Sequence, residues 1–482
     1  MKEENKKALV RLYENWGNDT VTKVIELPPS GSARTYCRIV GDKMTVLGVH
    51  NEDYKENVAF ISFSKHFKQE GMLVPEIYAE DLDNSIYLIE DFGGETLFEH
   101  LLVTRVSDEY PVELKEIYQH VLRDLIQFQL YARQNLPYEN CYPRAKFDKQ
   151  SMLWDLHYFK YYFLKLAQIP FDEQLLEDDF QRFADYLLEA EHDFFMYRDF
   201  QSRNIMLIDG KKPAYIDYQG GRKGALQYDL ASLLYDAKAD IPEEVREELF
   251  EYYLNELQKE KQIDADAFRK HYYGYVLIRI MQAMGAYGFR GFYEKKEHFL
   301  KSIPYAMGNL KRVLQKADLP IKVPQLLKAL DAVANSKRLL KIAQDAQVKL
   351  QVEINSFSYK RGIPMDKSEN GGGFVFDCRA VHNPGRYEQY KNLTGKDPEV
   401  IAFFKEHKGM DRFLKPVKKL VEMSVKRYIK RSFTNLQVNF GCTGGRHRSV
   451  YAAEHLANFL EKKYDIRVKV RHIEREIEEN AN

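Results

Sequence analysis

The alternation of apolar and polar positions over residues 21–49 predicts three strands, VTKVIEL, CRIV and MTVLGV. The first two are joined by a small, polar turn, PPSGSARTY. A helical period follows near 56–69, and then a strand at Ser85–Glu90 (SIYLIE) that ends in Asp91-Phe92-Gly93-Gly94, a glycine pair suited to a hinge. From about 95 to 195 the spacing of Leu, Tyr and Phe is mostly helical. Two short strands, NIMLI at 204–208 and AYIDY at 214–218, flank polar loops, and after Asp229 the pattern is helical again to about 317.

The segment Ala317–Gln325, with Pro320 and Pro324, predicts a linker, and residues 326–347 a helix. A second α/β pattern begins near Leu350. LQVEINSFSY, GFVFDCRA, LQVNFGC and RVKVRHIER read as strands, and LKPVKKLVEMSVKRYIKRSF and HRSVYAAEHLANFLEKKY as helices. The expected organisation is a domain over 1–317, a helical linker over 318–349 and a smaller α/β domain over 350–482, without internal repeats.

Composition narrows the class. Hydrophobic residues are 44% and charged residues 30% of the 482, as in ordinary globular chains. No run of about 18 uncharged apolar residues marks a membrane span. The start, MKEENKKALV, lacks the apolar core of a signal peptide. Cys37, Cys141, Cys378 and Cys442 are far apart, which argues against a zinc site or disulfide framework and for a reducing cytoplasm. The net charge of zero conceals an asymmetry. Residues 1–340 hold 45 Lys and Arg against 54 Asp and Glu, and the remainder 27 against 18. An acidic body and a basic tail domain suggest modules with different partners, or two solvated surfaces that simply differ.

The sharpest chemistry lies in MYRDFQSRNIML and, nine residues on, IDYQG. Phosphoryl transfer needs a carboxylate to orient the attacking hydroxyl and accept its proton, and hard oxygen ligands for the cation that bridges the phosphates. Asp199 and Asn204 have the D-x-x-x-x-N spacing of a kinase catalytic loop, and Asp217 follows the second strand. Each alone would be an ordinary turn residue. In this order, with Tyr228-Asp229-Leu230 at a helix start, they indicate a base and two metal ligands.

Residues 1–317 resemble the aminoglycoside phosphotransferase-like kinase family through Tyr197–Asn204, Ile216–Gln219 and Tyr228–Leu233. Within it they look most like the bacterial N-acetylmuramate/N-acetylglucosamine anomeric sugar kinases, through the Ser30–Arg38 loop and the Leu88–Gly93 hinge. The resemblance implies a protein-kinase-like bilobal α+β fold, ATP and Mg²⁺ as cofactors, and a small-molecule amino sugar as substrate. It implies Asp199 as catalytic base, Asn204 and Asp217 as Mg²⁺ ligands, and Asp229 as a brace for the loop.

Two departures stand out. Tyr197 replaces the usual His, and the third strand contains no lysine to pair the nucleotide phosphates. Arg34 could substitute through its bidentate fork, the alternative being a solvated turn arginine. Ser32, within the Ser30–Ala33 turn, offers backbone N–H groups to the phosphates. Glu90 lies where the adenine would be reached, mainly through backbone. The aromatics of 148–165 could stack on a sugar, or form a helix core.

In the second domain, Gly441-Cys442-Thr443-Gly444-Gly445-Arg446-His447-Arg448-Ser449 follows an apolar strand and opens a helix, an arrangement that binds anions. It also fits C-x5-R-S, the cradle of cysteine phosphatases, although Gly441 precedes the cysteine and Asp377 is the one candidate acid. Residues 350–482 resemble the C-terminal domain of the RapZ RNase adaptor family, through Ser356–Pro364, Phe376–Arg379, Asn383-Pro384, Leu393–Pro398 and the nonapeptide Gly441–Ser449. This implies a phosphosugar, glucosamine-6-phosphate, bound by Thr443, Gly444, His447 and Arg448, and in enteric bacteria a small regulatory RNA. The family's usual N-terminal P-loop domain is replaced here. Lys415, Lys418, Lys419, Lys426, Arg427, Lys430 and Arg431 could contact RNA phosphates, or form a solvated basic face. The rival readings are a non-catalytic, nucleotide-binding RNA or RNase adaptor, and a phosphatase acting through Cys442.

Overall fold

The computed structural model describes residues 1–27, 34–105, 110–345, 349–366, 373–430 and 433–474. The chain divides into two compact units, Met1–Gln347 and Val348–Asn482.

The first unit opens with helix α1 (Glu3–Gly17) and a five-stranded antiparallel sheet in the order β1-β2-β3-β5-β4. Its strands are β1 (Val21–Glu26), β2 (Thr35–Gly41), β3 (Thr45–His50), β4 (Ile77–Asp81) and β5 (Ile86–Glu90). Helix α2 (Tyr54–Gln69) crosses between β3 and β4, its N-terminus capped by the Asp53 side chain on the Glu56 N–H. The alternation of β2 turns Cys37 and Ile39 onto α1, where Leu9 and Tyr13 are buried in a small core of their own. The short strand β4 escapes the periodicity argument because all five of its residues are only partly buried or exposed.

The second lobe is helical: α3 (Leu97–Thr104), α4 (Val112–Leu130), α5 (Lys149–Phe159), α6 (Glu173–Leu187), α7 (Leu226–Leu234), α8 (Glu243–Glu260), α9 (Ala265–Gly288), α10 (Glu297–Leu300) and α11 (Ile303–Lys316). Two hairpin-like pairs are set into it: β6 (Phe194–Met196) with β9 (Arg222–Gly224), and β7 (Ile205–Ile208) with β8 (Lys212–Tyr215). The Ile205–Ile208 strand falls where the sequence predicts it. The other ends at Tyr215, so Asp217 stands two residues beyond it, at φ 72°.

The expected linker is part of this lobe. Val323 and the helices α12 (Pro324–Ala334) and α13 (Lys337–Asp345) contribute Leu326, Leu330, Val333 and Leu339 to the main core. Asp179, itself buried, accepts the N–H groups of Gln325 and Leu326 and so caps α12 from α6. The first unit therefore runs past 317, because the apolar stripe of 326–339 needs a surface to cover it. Of the six Trp, Tyr and Phe residues in 148–165, only Phe159 and Phe163 are core; Tyr158 and Tyr162 are half-buried, and Trp154 and Tyr161 are exposed.

The second unit is a parallel four-stranded sheet in the order β11-β12-β10-β13. Its strands are β10 (Gln351–Ser358), β11 (Gly373–Asp377), β12 (Asn435–Cys442) and β13 (Arg467–His472). The helices are α14 (Pro398–His407), α15 (Gly409–Lys430) and α16 (Arg448–Lys463). The GFVFDCRA stretch is strand only to Asp377. Residues 378–380 turn into a short 3-10 segment as the Asp377 carboxylate accepts the Arg379 N–H. No helix among the described residues is long and apolar enough to cross a membrane.

Candidate functional site

The loop between β6 and β7 is fixed from beneath. Asp229, near the start of α7, is fully buried and accepts the N–H groups of Tyr197 (2.7 Å) and Arg198 (2.9 Å). Burial raises its carboxyl to about 7, while these two donors pull the other way. Arg198 takes the left-handed conformation (φ 83°) and forms a bidentate pair with Asp155 on α5, at 2.7 and 2.8 Å. Tyr197, where the family has His, is buried and donates its hydroxyl to the Ile216 carbonyl at 2.7 Å. That hydrogen bond ties the loop to the residue preceding Asp217.

These restraints bring Asp199, Asn204 and Asp217 together. Asn204 donates through Nδ2 to the Asp199 carbonyl (2.9 Å) and to Asp217 Oδ2 (3.1 Å). Gln219 donates to Asp217 Oδ1 (2.8 Å). The Asp217 carboxyl is raised to about 6, first by burial and then by the Asp199 charge. Asp199 remains partly exposed, with Arg279 Nη2 at 3.7 Å.

A cleft of about 630 Å³ runs past this loop. From the sheet lobe it is lined by Arg34, Tyr36, Leu47, Phe60, Ile89 and Phe92, and from the helical lobe by Asp199, Arg203, Asn204, Met206, Ile216 and Asp217, among others. Arg34 is 2% exposed, not a solvated turn arginine. Its guanidinium lies over the Phe60 ring and 3.3 Å from Glu56 in the first turn of α2. Glu56 also accepts from Asn51 (2.9 Å) and Gln219 (3.3 Å), so Arg34, ion-paired to Glu56, is linked through the Glu56–Gln219 and Gln219–Asp217 hydrogen bonds to Asp217. The cation that β3 lacks thus enters from the start of β2. Sequence reasoning passed over Glu56, since an acid in the first turn of a helix already has a reason to be there.

Glu90 lines the cleft, but its carboxylate is engaged by Lys68 (3.0 Å) and the Glu76 N–H (3.2 Å). At the hinge, Arg38 pairs with Asp91 and donates to the Gly93 carbonyl at 3.3 Å, and Gly93 takes φ 90°. Ser32 lies outside the described residues.

The donor set fits a hard divalent cation. Asp217 and Asn204 offer carboxylate and amide oxygens beside the Asp199 carboxylate, and the nearby Gln219 Oε1 is buried without a hydrogen-bond partner. Among the described residues no group of three His, Cys, Asp or Glu side chains could hold a metal by itself. Such a cation would therefore complete its shell with phosphate oxygens and water, as Mg²⁺ commonly does.

In the second unit, Thr443 and Gly444 are exposed at the tip of the loop between β12 and α16. A Cβ on Gly444 would meet nothing, so the tip is open to a ligand. His447 and Arg448 are buried and committed to the fold. His447 Nε2 lies 2.8 Å from the Tyr390 carbonyl, and Arg448 Nη1 donates to the Arg379 and Val381 carbonyls at 2.9 and 3.1 Å. Cys442 Sγ is buried 3.2 Å from Ser449 Oγ. That contact would suit a nucleophilic sulfur; of the Arg448 guanidinium, Nη1 is held by the two backbone carbonyls while Nη2 donates to Thr443 Oγ1 at 3.4 Å. A pocket of about 170 Å³ is lined by Thr394, Lys396, Gly445, Arg446, His472 and Glu474 among others. On α15, Arg431 and the Lys430 side chain lie outside the described residues.

The fold and the site define a protein-kinase-like domain followed by a smaller α/β domain. Residues 24–263 match the phosphotransferase enzyme family, and residues 350–476 match the RapZ C-terminal domain. The chain joins a phosphotransferase-family domain to a RapZ C-terminal domain. It is 35% identical to a nucleotide-binding protein of Thermosipho melanesiensis over 155 residues, 31% of this chain and 54% of that protein. It is 38% identical to a nucleotide-binding protein of Endomicrobium trichonymphae over 136 residues, 28% of this chain and 46% of that one. The chain spans about half the length of the curated relatives it matches. Among solved structures, choline kinase LicA from Streptococcus pneumoniae is 13% identical, with 65% of this chain and 98% of that chain covered at a TM-score of 0.42. A Plasmodium vivax ethanolamine kinase is also 13% identical, with 60% and 82% covered at 0.44.

Proposed function

We propose that the first unit is an ATP-dependent kinase that phosphorylates an amino sugar, N-acetylmuramate or N-acetylglucosamine, and that the second unit binds a phosphorylated amino sugar at the Thr443–Gly444 tip. The observation that carries the kinase reading is the convergence of Asp199, Asn204 and Asp217 on one cleft with Arg34 buried against Glu56. Leu47, Ile89, Met206 and Ile216 give that cleft apolar walls suited to an adenine ring.

In this mechanism Asp199 accepts the proton of the acceptor hydroxyl as its oxygen bonds to the γ-phosphorus and the bond to the β,γ-bridging oxygen breaks, releasing ADP. Arg34, held by Glu56, contacts the nucleotide phosphates and offsets their charge. Asn204 and Asp217 would hold Mg²⁺, whose charge neutralises phosphate oxygens when bound. Tyr197 and Asp229 keep the base and these ligands in register.

The test is incubation with Mg-ATP and a panel of amino sugars, with sugar phosphate followed by mass spectrometry. Turnover by the wild type that disappears in Asp199→Ala is expected. Absence of turnover on every sugar, or turnover that survives Asp199→Ala, would sink the assignment. For the second unit, calorimetry with glucosamine-6-phosphate should show binding that is lost when Gly444 is replaced by a bulky residue.

A further inference from the structure

Helix α7 serves the catalytic loop at two points. Its Asp229 accepts the Tyr197 and Arg198 N–H groups, and a turn further on Ser232 Oγ accepts the Arg279 Nε–H from α9 at 2.9 Å. Arg279 is buried, and its Nη1 donates to Gln282 Oε1 at 2.6 Å. Two hydrogen bonds thus fix a planar guanidinium whose remaining nitrogen, Nη2, stands 3.7 Å from Asp199 Oδ1. Gln201 lines both the catalytic cleft and a small cavity that Arg279 and Ser232 also line.

The two carboxylate oxygens of Asp199 are not equivalent. Oδ1 faces Arg279 and accepts from Gln201 Nε2 at 3.3 Å. Among the described residues no hydrogen bond reaches Oδ2. A free aspartate turns readily about its last torsion, which is broad and roughly two-fold. A buried cation on one oxygen selects one orientation and leaves the other oxygen for a partner in the cleft. The same cation offsets a concentration of negative charge. The Asp199 charge helps to raise both the Asp217 and the Asp229 carboxyls, while Arg279 pulls Asp229 down.

We propose that Arg279 is a positioning residue for the transfer. It holds Asp199 Oδ1 and so turns Oδ2 to the acceptor hydroxyl, whose proton Oδ2 takes as the hydroxyl oxygen bonds to the γ-phosphorus. This rests on the kinase reading above and deepens it. Arg279 lies beyond residues 24–263, the stretch that matches the phosphotransferase family, and no part of the loop motif points to it. The contrasting role is structural: Arg279 would only tie α9 to α7 through Ser232, and its loss would not act through Asp199.

A double-mutant cycle on the full chain separates the two roles, with Mg-ATP and the better used of N-acetylmuramate and N-acetylglucosamine. Arg279→Met removes the charge and keeps the bulk of the side chain. It should lower kcat by about 10–10²-fold, the scale of a misplaced catalytic group, with the KM for ATP within about twofold of the wild type. Arg279→Lys should recover about threefold or more of that loss. In an Asp199→Asn background the base is already gone, so Arg279→Met should lower kcat further by no more than about twofold. Ser232→Ala removes one anchor of the guanidinium and should give a smaller loss of the same kind, also absent in the Asp199→Asn background. It carries the comparison if Arg279→Met does not fold. An unchanged kcat, the same loss in both backgrounds, or a matching rise in the KM for ATP would overturn the proposal.

Crystallography distinguishes its failure from that of the kinase reading, since it needs no turnover. If no sugar is phosphorylated, the kinase reading fails. An Asp199 carboxylate that leaves its wild-type orientation in Arg279→Met or Ser232→Ala would still support the positioning contact, and an unchanged orientation would refute it.

Discussion

Arg34, just before β2, and Glu56 in the first turn of α2 face each other at 3.3 Å, and their pairing supplies the cleft with a buried positive charge that β3 does not provide. Glu56 reaches Asp217 through Gln219, so the cation proposed to face the phosphates and the carboxylate proposed to hold the metal are parts of one network.

Arg34→Ala is expected to lower kcat/KM for ATP by about 10²-fold or more, the usual scale for one preorganised electrostatic contact. Arg34→Lys should recover only part of it, because a point charge cannot reproduce the guanidinium fork that meets both Glu56 and phosphate. Steady-state kinetics with varied ATP measures both. An unimpaired Arg34→Ala enzyme would show that another cation pairs the phosphates.

Asp199→Asn should reduce kcat by about 10²–10⁴-fold, the range for loss of a general base. ATP affinity should hold, since the proposed mechanism assigns Asp199 to the acceptor. Equilibrium binding of a fluorescent ATP analogue, run beside the turnover assay, separates the two. Loss of nucleotide binding would place Asp199 in the wrong role.

Asp217 and Asp229 give the apoprotein a pH signature. Their folded carboxyls stand at about 6 and about 7, raised first by burial, whereas in the unfolded chain they return to about 3.9. In that window the folded chain binds more protons than the unfolded one, so its stability is greatest below about pH 4 in this respect and declines as pH rises through about 7. Asp217→Asn should remove its share, on the order of 1 kcal/mol between pH 5 and pH 7.5. Thermal melts without nucleotide at the two pH values check this. A steeper slope in the variant would reverse the sign argued here.

Asp179→Ala should destabilise the first unit by about 1–2 kcal/mol, as the N–H groups of Gln325 and Leu326 lose their cap. Urea unfolding should show one cooperative loss that includes α12. Release of α12 with the rest of the unit unchanged would make it a separate element.

Arg448→Ala should cost about 1–3 kcal/mol in the second unit, because the Arg379 and Val381 carbonyls lose a buried donor. Cys442→Ser should leave aryl-phosphate hydrolysis at background, as in the wild type. A hydrolysis rate in the wild type that vanishes in Cys442→Ser would restore the cysteine-phosphatase reading.

The sequence by itself determined the elements whose reasons are local. β2 and β3 are legible because their apolar residues recur along short β-rich runs, and β5 because a four-residue apolar run, buried on both faces, is bounded by polar residues. Asp199, Asn204 and Asp217 are legible because their spacing belongs to one loop and the strand pair that follows it. The glycine-rich turn at 441–449 is legible because a strand, glycines and a helix start occur in a row. What the tertiary structure alone decided depends on partners distant in the chain. Whether Arg34 is a solvated arginine or a buried one is settled by Glu56, 22 positions away, and by Phe60 beneath it. Whether 318–349 links or packs is settled by Asp179 and the core that receives Leu326 and Leu330. Arg448 looks like a phosphate clamp in sequence, and the structure shows that the carbonyls of Arg379 and Val381 hold its Nη1 while Nη2 reaches Thr443. Local spacing fixes which chemistry a loop can present, and only long-range burial and pairing fix which charges remain for a ligand.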